Sequence, residues 1–262
     1  MKTTLITLAI LSSSSVYAHS DHNFSISSDN CQLEFKNDVR ITPEEISITQ
    51  ANNQNMMIAA DGTLSVNGQI ITVTPQQRQA LSFYAETLRA ELPKVAEVAT
   101  QAVDLAEVAL NEVATTFNLN SFDDLSEILD ELNVEVQNTF YQEGTFVMGE
   151  QTMAEFGEHF EQQFESRVES AVKSAMFESI GTLLISLGSE MKNADGDINA
   201  FEQRMEQLGS NFERRINAQA EQLEASADSL CDQFAQIAQQ EAHLAQSMPT
   251  LSGYALMHTT SH

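Results

Sequence analysis

Between Cys31 and Thr74 apolar and polar residues tend to alternate, and from Pro75 onward apolar residues recur at steps of three and four. Side chains alternate faces along a strand and return to one face of a helix every 3.6 residues, so the first stretch predicts strands and the second predicts helices. "CQLEF" (31–35) and "ISIT" (46–49) follow the two-residue period. In "NMMIAADGTLSVNGQIITVT" (55–74), Met57, Ile58, Leu64, Val66, Ile70, Ile71 and Val73 flank the dipeptides Asp61-Gly62 and Asn67-Gly68. Such dipeptides supply the positive φ angles of two-residue hairpin turns. The pattern predicts a meander of three to four short antiparallel strands. A sheet that small cannot bury a core alone and must pack on another layer.

The period changes at Thr74. Thr74-Pro75-Gln76-Gln77 reads as an N-cap, a proline at N1 and a reciprocal glutamine at N3. The helix it opens should run to about Leu92, where Pro93 kinks or breaks it. Val98, Ala99, Ala102, Val103, Ala106, Ala109, Leu110 and Val113 then form a wide apolar face rich in alanine. "NLNSFDD" (118–124) interrupts it, with Ser121 as the expected cap of a short helix to about Asn138. "YQEGTFVMGEQ" (141–151) reads as irregular or as one short strand. Met153, Phe156, Phe160, Phe164, Val168, Val172, Met176, Ile180, Leu183 and Leu187 mark a long amphipathic helix with a phenylalanine stripe. After "NADGD" (193–197) comes the most regular helix. Phe201, Met205, Leu208 and Phe212 begin its stripe, and Leu223, Ala227, Leu230, Phe234, Ile237 and Leu244 continue it, with Glu241 in one core slot. The eleven-residue step from 212 to 223 shifts the stripe as a stutter does.

The first residues change the compartment. "MKTTLITLAILSSSSVYAHS" has one lysine, a short apolar run and small residues at Val16 and Ala18, the features of a secretory signal peptide cleaved after Ala18. The run is too short to span a bilayer. The expectation is therefore a periplasmic protein with a signal peptide at 1–18 and a flexible mature N-terminus at 19–30. A single α+β domain should follow at 31–247, with strands at 31–74 and helices at 75–247, and then a loose C-terminal tail at 248–262. Loss of Lys2 moves the formal charge from −26 to −27. A chain this acidic should not hold nucleic acid or anionic headgroups by charge.

An oxidising compartment lets cysteines persist as a disulfide. With two cysteines in the chain, Cys31–Cys231 is the one intramolecular pairing. Two free thiols and an intermolecular bridge are the alternatives. HExxH, GxSxG, CxxC, phosphate-loop and dinucleotide signatures do not occur. Of the six histidines, only His159 and His243 fall on predicted helices, and neither has a nucleophile or carboxylate constellation around it in sequence. No enzyme activity and no cofactor are expected. In "NADGDINAFE" (193–202), setting Gly196 at position 6 of a calcium loop puts Asn193, Asp195, Asp197, Asn199 and Glu202 at positions 3, 5, 7, 9 and 12. Met191 then stands where the first oxygen ligand belongs, which favours a plain helix–loop–helix corner.

"DGTLSVNGQ" followed by "TPQQRQALSFYAETLRAELPKVAEVA" resembles the YggN-like family of uncharacterised gammaproteobacterial periplasmic proteins. The shared features are Asp61, Gly62, Asn67, Gly68, Gln77, Arg78, Tyr84, Leu92 and Pro93. The clear likeness covers about residues 31–100. Members also carry a cysteine near the mature start and one in the last helix, matching Cys31 and Cys231. The resemblance implies export and a shared fold, and no activity. The resulting expectation is an α+β fold with one disulfide, in which a small N-terminal antiparallel meander packs against several long helices. Functionally it is a non-enzymatic helical interaction or structural protein of the envelope, binding another envelope protein or itself. The alternative is a carrier of an apolar ligand or of a divalent cation, with calcium at 193–202.

Overall fold

The computed structural model describes residues 25–28, 31–117, 122–175, 188 and 198–259. Its strands are β1 (Ser25–Ser28), β2 (Cys31–Phe35), β3 (Asp38–Ile41), β4 (Glu45–Thr49), β5 (Asn55–Ala59), β6 (Leu64–Val66) and β7 (Gln69–Ile71). The helices α1 (Pro75–Glu91), α2 (Lys94–Phe117) and α3 (Asp123–Phe140) follow, and then the hairpin β8 (Tyr141–Gln142) and β9 (Thr145–Met148). Helix α4 (Glu150–Phe160) passes through a π-helical turn (Glu161–Glu165) into α5 (166–175). Helix α6 (Ile198–Ser247) and a 3₁₀ turn (Pro249–Leu251) lead to β10 (Met257–Thr259). The fold class is α+β, as expected.

The expected meander becomes two antiparallel sheets. One has seven strands in the order β7-β6-β5-β4-β3-β9-β8, and the other has three in the order β1-β2-β10. The alternation from 38 to 66 is physical: Val39, Ile41, Ile46, Ile48, Met56, Ile58 and Leu64 all point into the core. The Asn67-Gly68 turn is the primed hairpin turn its sequence predicts, with φ of 51° and 76°. Asp61-Gly62 differs. It sits in a four-residue connection between β5 and β6 in which only Gly62, at φ 77°, is left-handed. The Asp61 carboxylate there accepts the Thr63 amide at 2.9 Å.

Three expectations about the chain's layout need correction. The segment 75–247 is not wholly helical, because the β8–β9 hairpin docks on β3 through Ile41↔Phe146 and Val39↔Met148. The stretch 19–30 contains β1, paired with β2 from Ser28↔Cys31 to Ser25↔Glu34. The signal peptide, 19–24 and 29–30 lie outside the described residues. Lastly, residues 248–259 of the expected loose tail are packed, and 260–262 lie outside the described residues. Met248, Leu251, Tyr254, Leu256 and Met257 are buried, and β10 pairs with β2. The apolar side chains of the tail close the core from below the last helix, and the backbone of the segment is held as well. Asn37 donates from its side-chain amide to the carbonyls of Gly253 (3.1 Å) and Ala255 (2.6 Å).

Helix α1 begins with the anticipated capping box: the Gln77 amide donates to Thr74 Oγ1 at 3.2 Å and the Thr74 amide to Gln77 Oε1 at 2.9 Å. Its buried face, Leu81, Tyr84, Ala85 and Leu88, meets Leu230, Phe234, Ile237 and Leu244 of α6 in one core with the strands. Pro93 separates α1 from α2 by only two residues. A second, smaller cluster joins Ile128 of α3 to Phe164 and Ala171, so part of the phenylalanine stripe is core while Phe160 remains 36% exposed. The acidic face beside it stays at the surface, where Arg167 pairs with Glu131 across the two helices.

Helix α4 lacks a cap of its own, since its N-cap is Gly149. Asp38 of β3 substitutes for one: its carboxylate accepts the Gln151 amide at 3.1 Å. A side chain at Gly149 would meet the Asp38 Cα at 2.5 Å, so the close approach that allows this cap requires glycine. Asp38→Ala should lower stability by about 1 kcal/mol, read as a fall in the urea midpoint at unchanged slope. An unchanged midpoint would show that water replaces the cap at no cost.

Candidate groove and the buried carboxyl beneath it

Helices α1 and α6 cross so that a cleft of about 480 Å³ opens between them. From α1 come Gln76, Ala80, Phe83 and Tyr84; from α6 come Gln240, His243, Leu244 and Ser247. These positions step by three and four, so each set is one face of its helix, adjoining the core stripe. Phe83 is 60% exposed although it is among the larger apolar side chains of the chain. Gln77 spans the mouth, donating from Nε2 to the Ser247 carbonyl at 3.0 Å while its Oε1 completes the α1 cap. The Gln240 Oε1 is buried and has no hydrogen-bond partner among the described residues. No aspartate or glutamate lines this cleft, although the chain carries 38 of them.

Beneath the cleft lies Glu241, 6% exposed, in the core slot its helical spacing indicates. Its Oε1 accepts the Tyr84 hydroxyl at 2.6 Å and the Leu256 amide at 2.9 Å. Its Oε2 is buried with no partner among the described residues. Burial raises the Glu241 carboxyl to about 7, against the opposing pull of the Tyr84 hydroxyl and the amides of Leu256 and Met257. Tyr84 is held well above its ordinary value, first by burial and then by the Glu241 charge. It therefore remains a hydrogen-bond donor throughout the physiological range. The buried pair joins α1, α6 and the segment entering β10.

The residues singled out from sequence fall in different places. Cys231 is buried in the core at 9% exposure, and no described cysteine is a free thiol. Cys31 lies on β2, next to which α6 packs, and its side chain is outside the described residues. Of the calcium positions, Asn193, Asp195 and Asp197 lie outside the described residues, and Asn199 and Glu202 have helical backbone in the first turns of α6. Among the described residues no group of three or more His, Cys, Asp or Glu is placed to hold a metal ion. His243 stands at the groove, and His159 Nδ1 lies 3.1 Å from Glu135 Oε1. Phe83 and Gln240 were not visible as site residues from sequence. The one available signal was an aromatic residue placed off the apolar stripe of α1.

The fold and this site define an α+β protein with an apolar helix–helix cleft above a buried carboxyl, and among the described residues no helix is long and apolar enough to cross a membrane. Residues 31–257 match the family described as Protein of unknown function (DUF2884), and the chain belongs to that family. It is 28% identical over 109 residues to the "Uncharacterized protein YggN" of Escherichia coli strain K12, and equally to those of strains O6:H1 and O157:H7. The match spans 42% of this chain and 42% of each relative. No solved structure matches.

Proposed function

We propose that this chain is an exported, periplasmic binding protein without catalytic activity, and that the α1–α6 cleft takes a small, uncharged, apolar molecule. The observation that carries this reading is the lining: aromatic and aliphatic surface rimmed by glutamine, histidine and serine, with no carboxylate, in a chain of net charge −26. The four other cavities described each carry at least one carboxylate. A cleft of this size falls in the range of small-ligand sites, which are mostly apolar with a few placed polar groups. Envelope localisation rests on the signal peptide at 1–18.

The chemistry of the compartment also supports a Cys31–Cys231 disulfide, since Cys231 is not free and Cys31 is the one other cysteine. Alkylation of the unreduced exported protein should leave both sulfurs unlabelled, and labelling of both would remove the bridge.

Native mass spectrometry of protein purified from its own compartment tests the carrier reading, together with titration of Nile red as a neutral apolar probe. A bound neutral mass and saturable dye binding are expected. Phe83→Ala should weaken dye binding about tenfold, the scale expected when an aromatic ring is removed from an apolar lining, with little change in melting temperature because Phe83 is exposed. A bare polypeptide mass and no saturable binding would remove the reading. A calcium-sized increment with a thermal shift on adding calcium would favour the 193–202 loop instead. The second reading, an envelope interaction or self-association through long helices, draws on α6. Its 50 residues reach about 75 Å, well past the core residues of 230–244. Sizing with light scattering and in-compartment crosslinking would count against it if the protein is strictly monomeric and uncrosslinked.

A further inference from the structure

Tyr84 belongs to two structures at once. Its ring lines the cleft, and its hydroxyl donates to the buried carboxyl of Glu241. The same carboxyl oxygen accepts the amide of Leu256, the residue before β10. On its other side that segment is held by the Lys36 amide, which donates to the Leu256 carbonyl at 2.8 Å, and by the side-chain amides of Asn37 and Gln50. The titratable side chains on the elements around the carboxyl include Tyr84, Arg78, Glu86, Arg89 and Glu91 on α1, His243 on its own helix, Tyr254 in the tail and Lys36 after β2. Of these, only Tyr84 bonds to it, and its protonation is otherwise governed by burial and by the amides of Leu256 and Met257.

We infer that the Tyr84–Glu241–Leu256 junction is a proton-operated latch: with the carboxyl neutral it ties the C-terminal segment and Tyr84 into the core, and with the carboxyl ionised it opens to water. A buried ionised carboxylate with one oxygen unpartnered is costly, and the cost is relieved by letting solvent reach it. Oε1 already takes two donors, so the proton of the neutral form belongs on Oε2. The wall of the junction that carries the Leu256 amide is the short segment between the 3₁₀ turn and β10. Opening there frees the Tyr84 hydroxyl and loosens the floor of the cleft. Protonation should therefore favour the formed cleft and ionisation should weaken binding in it. This consequence for ligand rests on the carrier reading above, whereas the latch itself does not.

Hydrogen exchange of the Leu256 and Met257 amides, compared between wild type and Glu241→Gln, tests the latch. Taking the ratio at each pH cancels the intrinsic rise of exchange with pH. Between about pH 5.5 and about pH 8 the wild-type rate relative to the variant should rise by roughly 20- to 30-fold, if the opened carboxyl returns to its ordinary value. A flat ratio overturns the latch. Tyr84→Phe removes a donor that favours the ionised form, so its exchange transition should move to higher pH, and a transition that stays in place also overturns it. Nile red affinity, measured alongside, should fall at the higher pH in wild type and stay constant in Glu241→Gln. A responsive tail with no dye binding at any pH leaves the latch standing and removes the carrier. Dye binding with a flat exchange ratio does the reverse.

Discussion

Truncating Phe234 to alanine is expected to lower stability by about 3–5 kcal/mol. The ring is 0% exposed. It meets Phe35 edge-on, with centroids 5.9 Å apart and planes at 87°. It therefore joins the last helix to the strand preceding β3, one turn beyond Cys231, where the three-stranded sheet, α6 and α1 converge. The removed surface would leave a cavity that the surrounding helices and strands cannot collapse to fill, and the missing aromatic pair adds to the reduced burial. Urea unfolding measures it, as a lowered midpoint with unchanged slope. A loss below about 1 kcal/mol would mean that the site repacks and that the helix–sheet junction is not where the core is anchored. Phe83→Ala is the internal comparison, since the same residue type at 60% exposure should move stability little.

The second large effect is a pH dependence carried by Glu241. Its carboxyl lies at about 7 in the folded chain and returns to its ordinary value of 4.5 on unfolding. Between those values the folded state holds a proton that the unfolded state has released, so stability falls as pH rises. The contribution is whole below 4.5 and is lost progressively as pH climbs through about 7. A shift of this size corresponds to roughly 3 kcal/mol across the window. Glu241→Gln keeps an acceptor for the Tyr84 hydroxyl and the Leu256 amide but cannot ionise. It should match wild type near the acidic end and exceed it by up to roughly 3 kcal/mol at about pH 8. Asp61, Glu131 and Glu169 lie lower than usual through hydrogen bonds to Thr63, Arg167 and Lys173. They act in the opposite sense, at pH below the ordinary carboxylate range. Parallel wild-type and variant curves between about pH 5 and about pH 8 would show that solvent already reaches Glu241 in the folded state.

What could be read along the chain was read because it is local. The Thr74–Gln77 capping box, the Asn67-Gly68 turn, the division at Pro93 and the inward alternation of β4 each depend on residues within a few positions of one another. Family membership was likewise legible from "DGTLSVNGQ" and the helix after it. Strand β3, "DVRI", was too short to announce itself and exists because β4 and β9 flank it. The Asp61-Gly62 dipeptide suggested a tight hairpin turn, but β5 and β6 stop earlier and leave a longer connection. Glu241 stood out as a charge in an apolar slot. What it meets did not, because Tyr84 lies 157 positions away along the chain.

The sequence alone therefore determined the opening run of strands, the capped start of α1 and its end at Pro93, the surplus of negative charge and the family. Only the tertiary structure decided that the meander divides into two sheets, that a hairpin from the helical region widens one of them, and that the tail returns to pair with β2. The cleft and its buried carboxyl belong to that second set as well. The reason is the range of the forces: turn chemistry, capping and side-chain period act over a few residues. Strand pairing and burial instead reward contacts between segments whose separation along the chain leaves no periodic trace.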